Sequence, residues 1–316
     1  MSWAETLRAF RRSVLGLNRR NADYVFRYNP RDLFHLVDNK IETKRALTAA
    51  GIPVPRSYAL FEVQWDLRRL GWAVRRLSDF VLKPARASGG GGILAITRHD
   101  GELFYKASGA SLRLRDLEDH VSDILAGAYS RNQRQDEAIL EYRVRPDPAI
   151  GAISFGGVAD FRVLVFFGVP LMAMLRLPTR RSDGRANLHM GGIGVGVDLV
   201  TGRTLRATGP DGPVERHPDL GVPLVGIQLP SWEAVLDIST RCYDALGLGY
   251  FGADIVLDAD HGPMVLEVNG RPGLGIQLAN DRGLRPLLDE IERRQPRDLA
   301  VAERIVLGKE IFAAAA

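Results

Sequence analysis

The sequence predicts an α+β protein. Strand patterns fill the middle of the chain, helical periodicities flank them, and the strands are joined by hairpin-type turns rather than by alternating helices. With 316 residues, 46% hydrophobic and 25% charged, the chain is too apolar and too charge-balanced for a disordered tail, and too polar for a membrane-embedded protein. It is long enough to bury a large core and to divide into two or three lobes.

Taken in order, Trp3, Leu7, Phe10, Val14 and Leu17 fall at helical spacing, with Arg8, Arg11 and Arg12 elsewhere on the surface. Two readings stay open for this segment: a helix packed on the body, or a basic amphipathic helix in peripheral contact with an anionic membrane. Residues 38–50 (DNKIETKRALTAA) form a second helix, stopped by Gly51 and the extended IPVP segment, and residues 65–77 a third. From Phe80 the pattern turns to strands: FVLKP, a glycine cluster, ILAIT, a His–Asp–Gly turn and LFYKA. A helix over about 112–128 and a strand at 138–144 follow. The apolar run from Val163 to Leu175 is broken by Gly168 and Pro170, so it reads as strand–turn–strand and is too short to span a bilayer. A polar loop leads to VGVDLV, a helix covers 231–246, and the strands YFGADIVLD and PMVLEVN meet at a turn around Asp260 and His261. The terminal alanines are expected to fray.

Charge and cysteine usage narrow the function classes. The net charge is +4 and is spread along the chain, with no basic stripe interleaved with aromatics, so no specific nucleic-acid partner is expected. Cys242 is the single cysteine, in a helical context, which excludes an internal disulfide framework and fits a reducing, cytoplasmic compartment. No signal peptide is expected. There are five lysines against thirty-seven arginines, so a lysine beside a motif is hard to dismiss as surface filler.

Three constellations carry chemistry. In Gly89–Gly90–Gly91–Gly92, backbone N–H groups would approach phosphate oxygens without side chains intervening. The cluster runs into a strand, not a helix, and lacks the terminal Lys-Ser or Lys-Thr of a Walker loop. Lys83 stands on the strand that enters it. A nucleotide-phosphate clamp and a flexible surface loop are the alternatives.

The second constellation is the last strand pair. Read as a symmetric hairpin, it sets Asp254 opposite Glu267 and Gly252 opposite Asn269, with both carboxylates and the amide on one face. Such a cluster repels itself unless a cation sits within it, and its hard oxygens suit Mg²⁺ or Mn²⁺. The alternative is a plain solvent-facing side of a hairpin. In the third constellation, Arg176 alternates with Leu175 and Leu177 and so faces away from them, where its guanidinium would hold a transferring phosphoryl group. Arg180, Arg181, Arg185, Asn187 and His189 follow in a polar loop. No second histidine lies at zinc-ligand spacing.

These residues carry a resemblance. DNKIETKRALTAAGIPVPRSY, FVLKPARASGGGGI, ILEYRV, DFRVLVFFGVPLMAMLR, GRANLHMGG and GADIVLDADHGPMVLEVNGRPG cover about residues 38–280 in order. Together they resemble the ATP-grasp superfamily, in its branch of ribosomal-protein glutamate ligases, and most of all the α-L-glutamate ligase-like proteins. The resemblance implies an ATP-grasp fold of two α+β lobes clamping ATP: a basic helical extension (1–37), a helical linker region (38–78), a lid with the glycine loop (79–144) and a core with the metal site (145–316). It implies ATP and Mg²⁺ (or Mn²⁺) as cofactors. Lys40, Lys83, Ser88 and Gly89–Gly92 would hold the phosphates, Leu140, Glu141 and Tyr142 would line the adenine pocket, and Asp147 would reach the ribose.

By the same resemblance Asp254, Glu267 and Asn269 would bind metal and Arg176, Asn187 and Lys83 would act in catalysis; Arg185, His189 and Arg271 are the candidates to meet substrate. The activity implied is ATP-dependent ligation of a carboxylate to an amine or peptide through an acyl phosphate, with glutamate or a similar amino acid added. A small-molecule kinase and a non-catalytic ATP-binding scaffold are the competing readings. Two features depart from the pattern. Only 37 residues precede Asp38, where relatives carry a full α/β domain. Arg271 stands where the ribosomal-tail branch has small residues, either to receive a substrate carboxylate or to pin its loop. The oligomeric state is open, a homo-oligomer included.

Overall fold

Every strand pairing among the described residues is antiparallel, as strands joined by hairpin turns require. The computed structural model describes residues 13–87, 89–130 and 133–315. The expected helical face of Trp3, Leu7 and Phe10 lies outside them. By its contacts the chain divides into two units, a smaller one of residues 38–42 and 55–144 and a larger one of the remaining described residues. Helix α1 (Lys40–Ala49) begins in the smaller and continues in the larger.

In the smaller unit, β1 (Ser57–Phe61), β2 (Phe80–Pro84), β3 (Leu94–Ile96) and β7 (Ala138–Glu141) form a sheet in the order β1-β7-β2-β3. A second sheet joins β4 (Arg98–His99), β5 (Leu103–Tyr105) and β6 (Ser111–Arg113). Helix α2 (Leu114–Leu125) starts where the Asp116 carboxylate accepts the Arg113 N–H at 2.6 Å, which satisfies one of the donors a helix start leaves free. It buries Leu117, Val121, Ile124 and Leu125, one helical stripe, against Phe80, Leu82 and Leu140. The segment expected as one helix over 65–77 is instead a 3₁₀ turn (Gln64–Arg69) followed by a short α-helix (Leu70–Val74).

The larger unit is built on a seven-stranded sheet. Its strands are β8 (Asp160–Phe166), β9 (Val169–Leu177), β10 (Ile193–Val197), β11 (Thr204–Gly209), β12 (Gly212–Val214), β13 (Tyr250–Asp258) and β14 (Gly262–Asn269), in the order β12-β11-β10-β9-β8-β13-β14. Phe167 and Gly168 turn β8 into β9, both at positive φ (49° and 75°), the conformation that a two-residue type I′ hairpin turn demands. Pro170 is therefore not part of the turn; it lies inside β9 where the register slips by one residue.

Both faces of this sheet are covered, which is why β8 and β9 are buried along their whole length. One face carries Phe161, Val163, Val165, Phe251, Ala253 and Ile255 under helix α3 (Trp232–Leu246). The other carries Leu164, Phe166, Met172, Met174 and Tyr250 under α4 (Arg285–Arg294), α5 (Val301–Ala314) and the N-terminal helical segment. The terminal alanines as far as Ala314 continue α5 rather than fray. No helix among the described residues is long and apolar enough to cross a membrane.

Two side-chain environments yield predictions. A Cβ on Gly308 of α5 would stand 2.2 Å from the Pro170 carbonyl oxygen of β9. Helix propensity alone would make Gly308→Ala stabilising by about 1 kcal/mol. The contact reverses the sign, and thermal unfolding is expected to show a loss of about 1–3 kcal/mol. Cys242 is buried in α3, its Sγ donating to the Ile238 carbonyl at 3.1 Å, and burial pushes its thiol up to about 12. Ellman's reagent is expected to leave it untouched in the native protein and to titrate one thiol in denaturant.

Candidate active site

In the smaller unit the pairing of β2 with β7 sets Lys83 opposite Ile139 and Val81 opposite Glu141. Alternation then brings Lys83 and Glu141 to one face, where Lys83 Nζ lies 2.5 Å from Glu141 Oε1, both side chains no more than 5% exposed. Leu82 and Leu140 point the other way. The expectation that the Leu140 side chain lines a ligand pocket is corrected, because it is fully buried in the core with Phe80 and Phe61. Tyr142, half-buried just beyond β7, donates its N–H to the Arg56 carbonyl at 2.8 Å.

The glycine loop joins β2 to β3 and is gripped at both ends. At its entry, Lys40 donates its backbone N–H to the Ala85 carbonyl at 3.0 Å and its ammonium to the Ala87 carbonyl, while the Asp136 carboxylate accepts the Arg86 N–H at 3.1 Å. At its exit, His120 Nε2 donates to the Gly92 carbonyl at 3.0 Å. Gly92 is at φ 71°, and a Cβ there would meet the Tyr129 ring at 2.6 Å, so only glycine fits. Gly89 and Gly90 also have positive φ (67° and 80°), and a Cβ on Gly89 would enter open space. Ser88 lies outside the described residues.

In the larger unit a polar ladder crosses the sheet. Register sets Arg176 (β9) opposite Asp160 (β8), Arg162 (β8) opposite Asp254 (β13), Asp254 opposite Glu267 (β14) and Gly252 opposite Asn269. Arg176 Nε and Nη2 donate to the two Asp160 oxygens at 2.5 and 2.7 Å, and Nη2 also donates to Asp254 Oδ2 at 2.7 Å. Arg162 grips the same Asp254 carboxylate with Nε and Nη2, the latter at 2.6 Å. Burial pushes the Asp160 carboxyl up to about 6, since Arg176 does not offset the desolvation and the charge of Asp254 adds to it. Burial acts on Asp254 too, but the Arg162 and Arg176 guanidiniums outweigh it and hold that carboxyl below the ordinary range.

The expectation that a cation is needed to let Asp254 be buried is therefore corrected, because two guanidiniums neutralise it. Glu267 differs. It is half-buried beside the ladder and makes no hydrogen bond or ion pair among the described residues. Asn269 uses one lone pair of Oδ1 to accept the Arg271 N–H at 2.8 Å and has a second to offer. A hard divalent cation fits Glu267 and Asn269, with Asp254 adjoining them. The described residues hold no group of three or more His, Cys, Asp or Glu side chains able to bind a metal by themselves.

The pairing of Asp254 with Glu267 is as the symmetric hairpin predicts, although the hairpin is not symmetric. Nearer the turn Asp258 faces Gly262, and one extra residue in β14 restores the register before Glu267. Asp160 and Arg162 were not singled out from the sequence. Their signal is visible there, two charged residues two apart in an otherwise apolar strand.

The remaining candidates divide. Asp147, the expected ribose contact, caps the short helix Pro148–Gly151 with one carboxylate oxygen, which accepts the Ala149 N–H at 2.9 Å. Asn187 Oδ1 likewise accepts the His189 N–H at 3.0 Å at the start of a 3₁₀ turn. His189 is exposed, and its Nε2 lies 3.9 Å from where a Cβ of Gly273 would stand. Arg185 is half-buried, with no side-chain partner among the described residues. The Arg271 guanidinium stacks over the Phe34 ring at 4.2 Å.

A family model for sugar-transfer associated ATP-grasp proteins matches residues 19–293. The chain belongs to this ATP-grasp family. Its α+β fold, with a glycine loop on one unit and an acidic β-hairpin on the other, is thus the ATP-grasp fold. A probable α-L-glutamate ligase of Maridesulfovibrio salexigens is 32% identical over 143 residues, 45% of this chain and 36% of that protein. The chain thus spans about a third of the curated relative's length, and over that stretch the relative agrees with the branch expected from the motifs. Among solved structures, the D-cycloserine synthetase DcsG is 19% identical (TM-score 0.48, covering 84% of this chain and 73% of that one). The ATP-grasp ligase PsnB, complexed with minimal precursor, Mg and ADP, is 19% identical (TM-score 0.44, 85% and 62%). The D-alanyl-alanine synthetase A of Vibrio cholerae is 12% identical (TM-score 0.46, 90% and 68%).

Breaking the ladder is expected to be costly. Arg162→Met removes two of the three N–H bonds that Asp254 accepts. Chemical denaturation should show a loss of about 3–5 kcal/mol, the scale for stranding a buried charge.

Proposed function

We propose that the chain is an ATP-dependent ligase that joins a carboxylate to an amine through an acyl phosphate. The observation that carries this reading is the charge count of the ladder. Two guanidiniums meet two carboxylates, and Glu267 adds a negative charge with no partner among the described residues, next to an amide oxygen with a lone pair to spare. Together with membership of an ATP-grasp family, this supports a place for a divalent cation carrying nucleotide phosphates. When bound, such a cation would neutralise charge on the phosphate oxygens.

The reaction proceeds in two balanced steps. A substrate carboxylate oxygen bonds to the γ-phosphorus as the bond to the β–γ bridging oxygen breaks, releasing ADP. The amine then attacks the acyl carbon, the carbon–oxygen bond to phosphate breaks, phosphate leaves with the electron pair, and the amine nitrogen loses a proton. Arg176 spends Nε and Nη2 on Asp160 and Asp254, which leaves the Nη1 hydrogens to meet charge on the transferring group. Asp160 and Asp254 fix the plane of that guanidinium. Lys83 supplies positive charge to the phosphates and Glu141 holds its ammonium in place. The glycine loop, gripped at Ala87 and Gly92, covers the phosphates with backbone N–H groups and excludes water that would hydrolyse the acyl phosphate.

An amino acid of the glutamate type is the first substrate class to test, from the name of the curated relative. Sugars that carry an amine or a carboxylate are the second we would test, because the family is described as sugar-transfer associated. The test is ADP release over pairs of such carboxylates and amines, with mass spectrometry of each hit. An adduct that has lost water supports ligation; a phosphorylated product without an amide makes the protein a kinase, and ATP binding without turnover makes it a scaffold. Glu267→Gln removes an unpartnered charge, so ADP release is expected to fall roughly 100-fold or more while the melting temperature holds or rises. Lys83 is best probed as Lys83→Met with Glu141→Gln, which removes both charges of the buried pair together.

A further inference from the structure

The segment ahead of α1 grips the chain immediately after Asn269. It is α-helical at Leu17–Arg19, widens to a π-helix over Arg20–Val25 and returns to α-helix at Phe26–Tyr28. Arg20 opens the π turn, the kind of helix irregularity that re-aims side chains. Its side chain is buried, with the residue 8% exposed. Nη1 donates to the Pro272 carbonyl at 2.7 Å and to the Arg271 carbonyl at 3.2 Å, while Nε and Nη2 donate to Asn21 Oδ1 at 3.1 and 2.6 Å. Asn29 Nδ2 donates to the Gly270 carbonyl at 3.2 Å and to the Tyr250 carbonyl at 2.7 Å. A Cβ on Gly270 would come within 3.2 Å of both Phe34 and Val37. Gly270, Arg271 and Pro272 are therefore each held by the N-terminal segment.

Among the described residues no carboxylate pairs with Arg20. A buried guanidinium without an acidic partner is costly, and an apolar side chain of similar length would fill the same space without that cost. It would not supply donors to two successive carbonyls. Those carbonyls belong to the peptide units that follow the Arg271 N–H, and it is this N–H that the Asn269 side chain accepts at 2.8 Å. Fixing them fixes the direction of the amide's remaining lone pair.

Resting on the ligase reading, we infer that Arg20 is a positioning residue that aims the Asn269 side-chain oxygen at the divalent cation. The segment before α1 thereby completes the metal-binding end of β14. Arg20 is not a catalytic residue, since it acts through the loop.

The test is Mn²⁺ binding, read by electron paramagnetic resonance in the presence of ADP, on the full chain. Arg20→Met is expected to weaken Mn²⁺ binding about 10- to 100-fold, the scale for groups that orient a metal ligand. ADP affinity in EDTA should stay unchanged, and Arg20→Lys, able to reach one carbonyl, should fall in between. On an Asn269→Ala background, adding Arg20→Met should cost almost nothing more, because the two act as one unit. Should Arg20→Met not fold, Arg20→Lys and Arg20→Gln carry the same comparison. Unchanged Mn²⁺ affinity overturns the inference, as does an effect that adds in full to Asn269→Ala or that lowers metal-free ADP affinity in parallel. Wild-type protein that binds no Mn²⁺ with ADP overturns the ligase reading itself, and this inference with it.

Discussion

The larger unit depends on one arrangement, the paired guanidiniums and carboxylates of Arg176, Asp160, Arg162 and Asp254 running across neighbouring strands of a sheet covered on both faces. Each of these groups would be prohibitively costly there alone. Together they hold one another with five hydrogen bonds, and the strand register is what lets them meet. A one-residue slip of β8 would send Asp160 and Arg162 to the opposite apolar face and break every pair. The ladder thus fixes register as much as register fixes the ladder.

Electrostatics in the ladder is graded along its length. Asp160 is driven up by burial, with one guanidinium hydrogen-bonded to it, and Asp254 is held down by two. Glu267 and Asn269 follow at the edge strand, where burial is partial and oxygen lone pairs remain unused. On the proposed ligase reading, such a site would present a rigid, pre-oriented guanidinium next to oxygens with lone pairs to offer, with little reorganisation needed when phosphate charge arrives. The smaller unit repeats the logic on a lesser scale. Lys83 and Glu141 neutralise each other on the face of its sheet opposite Leu82 and Leu140, and the glycine loop is pinned at its ends while its middle is left without side chains.

The N-terminal segment has a part in this beyond packing. Tyr24 and Tyr28 stack edge-on against Phe166 beneath the sheet, and Gly249 donates its N–H to the Tyr28 carbonyl at 3.1 Å. Asn29 and Arg20 then reach the open end of the β13–β14 ribbon, Asn29 at the start of β13 and both at the residues just after β14. A stretch that reads from sequence as a basic helix is, over its described residues, a clamp on the open end of the β13–β14 ribbon.

Much of this was legible in the chain itself. Period-two alternation and the turn around Asp260 and His261 were enough to pair Asp254 with Glu267 and Gly252 with Asn269, because hairpin register follows from local geometry. The glycine cluster beside a scarce lysine marked the loop, and the ordered set of motifs pointed to the ATP-grasp family. The sequence could not disclose which partner each charge would take. Arg162 and Asp160 look like ordinary polar interruptions until β8 is placed between β9 and β13. Leu140 faces the core only because β7 sits between β1 and β2. The pairings of Asp160, Arg162 and Leu140 turn on contacts between residues tens of positions apart, and local periodicity does not encode them.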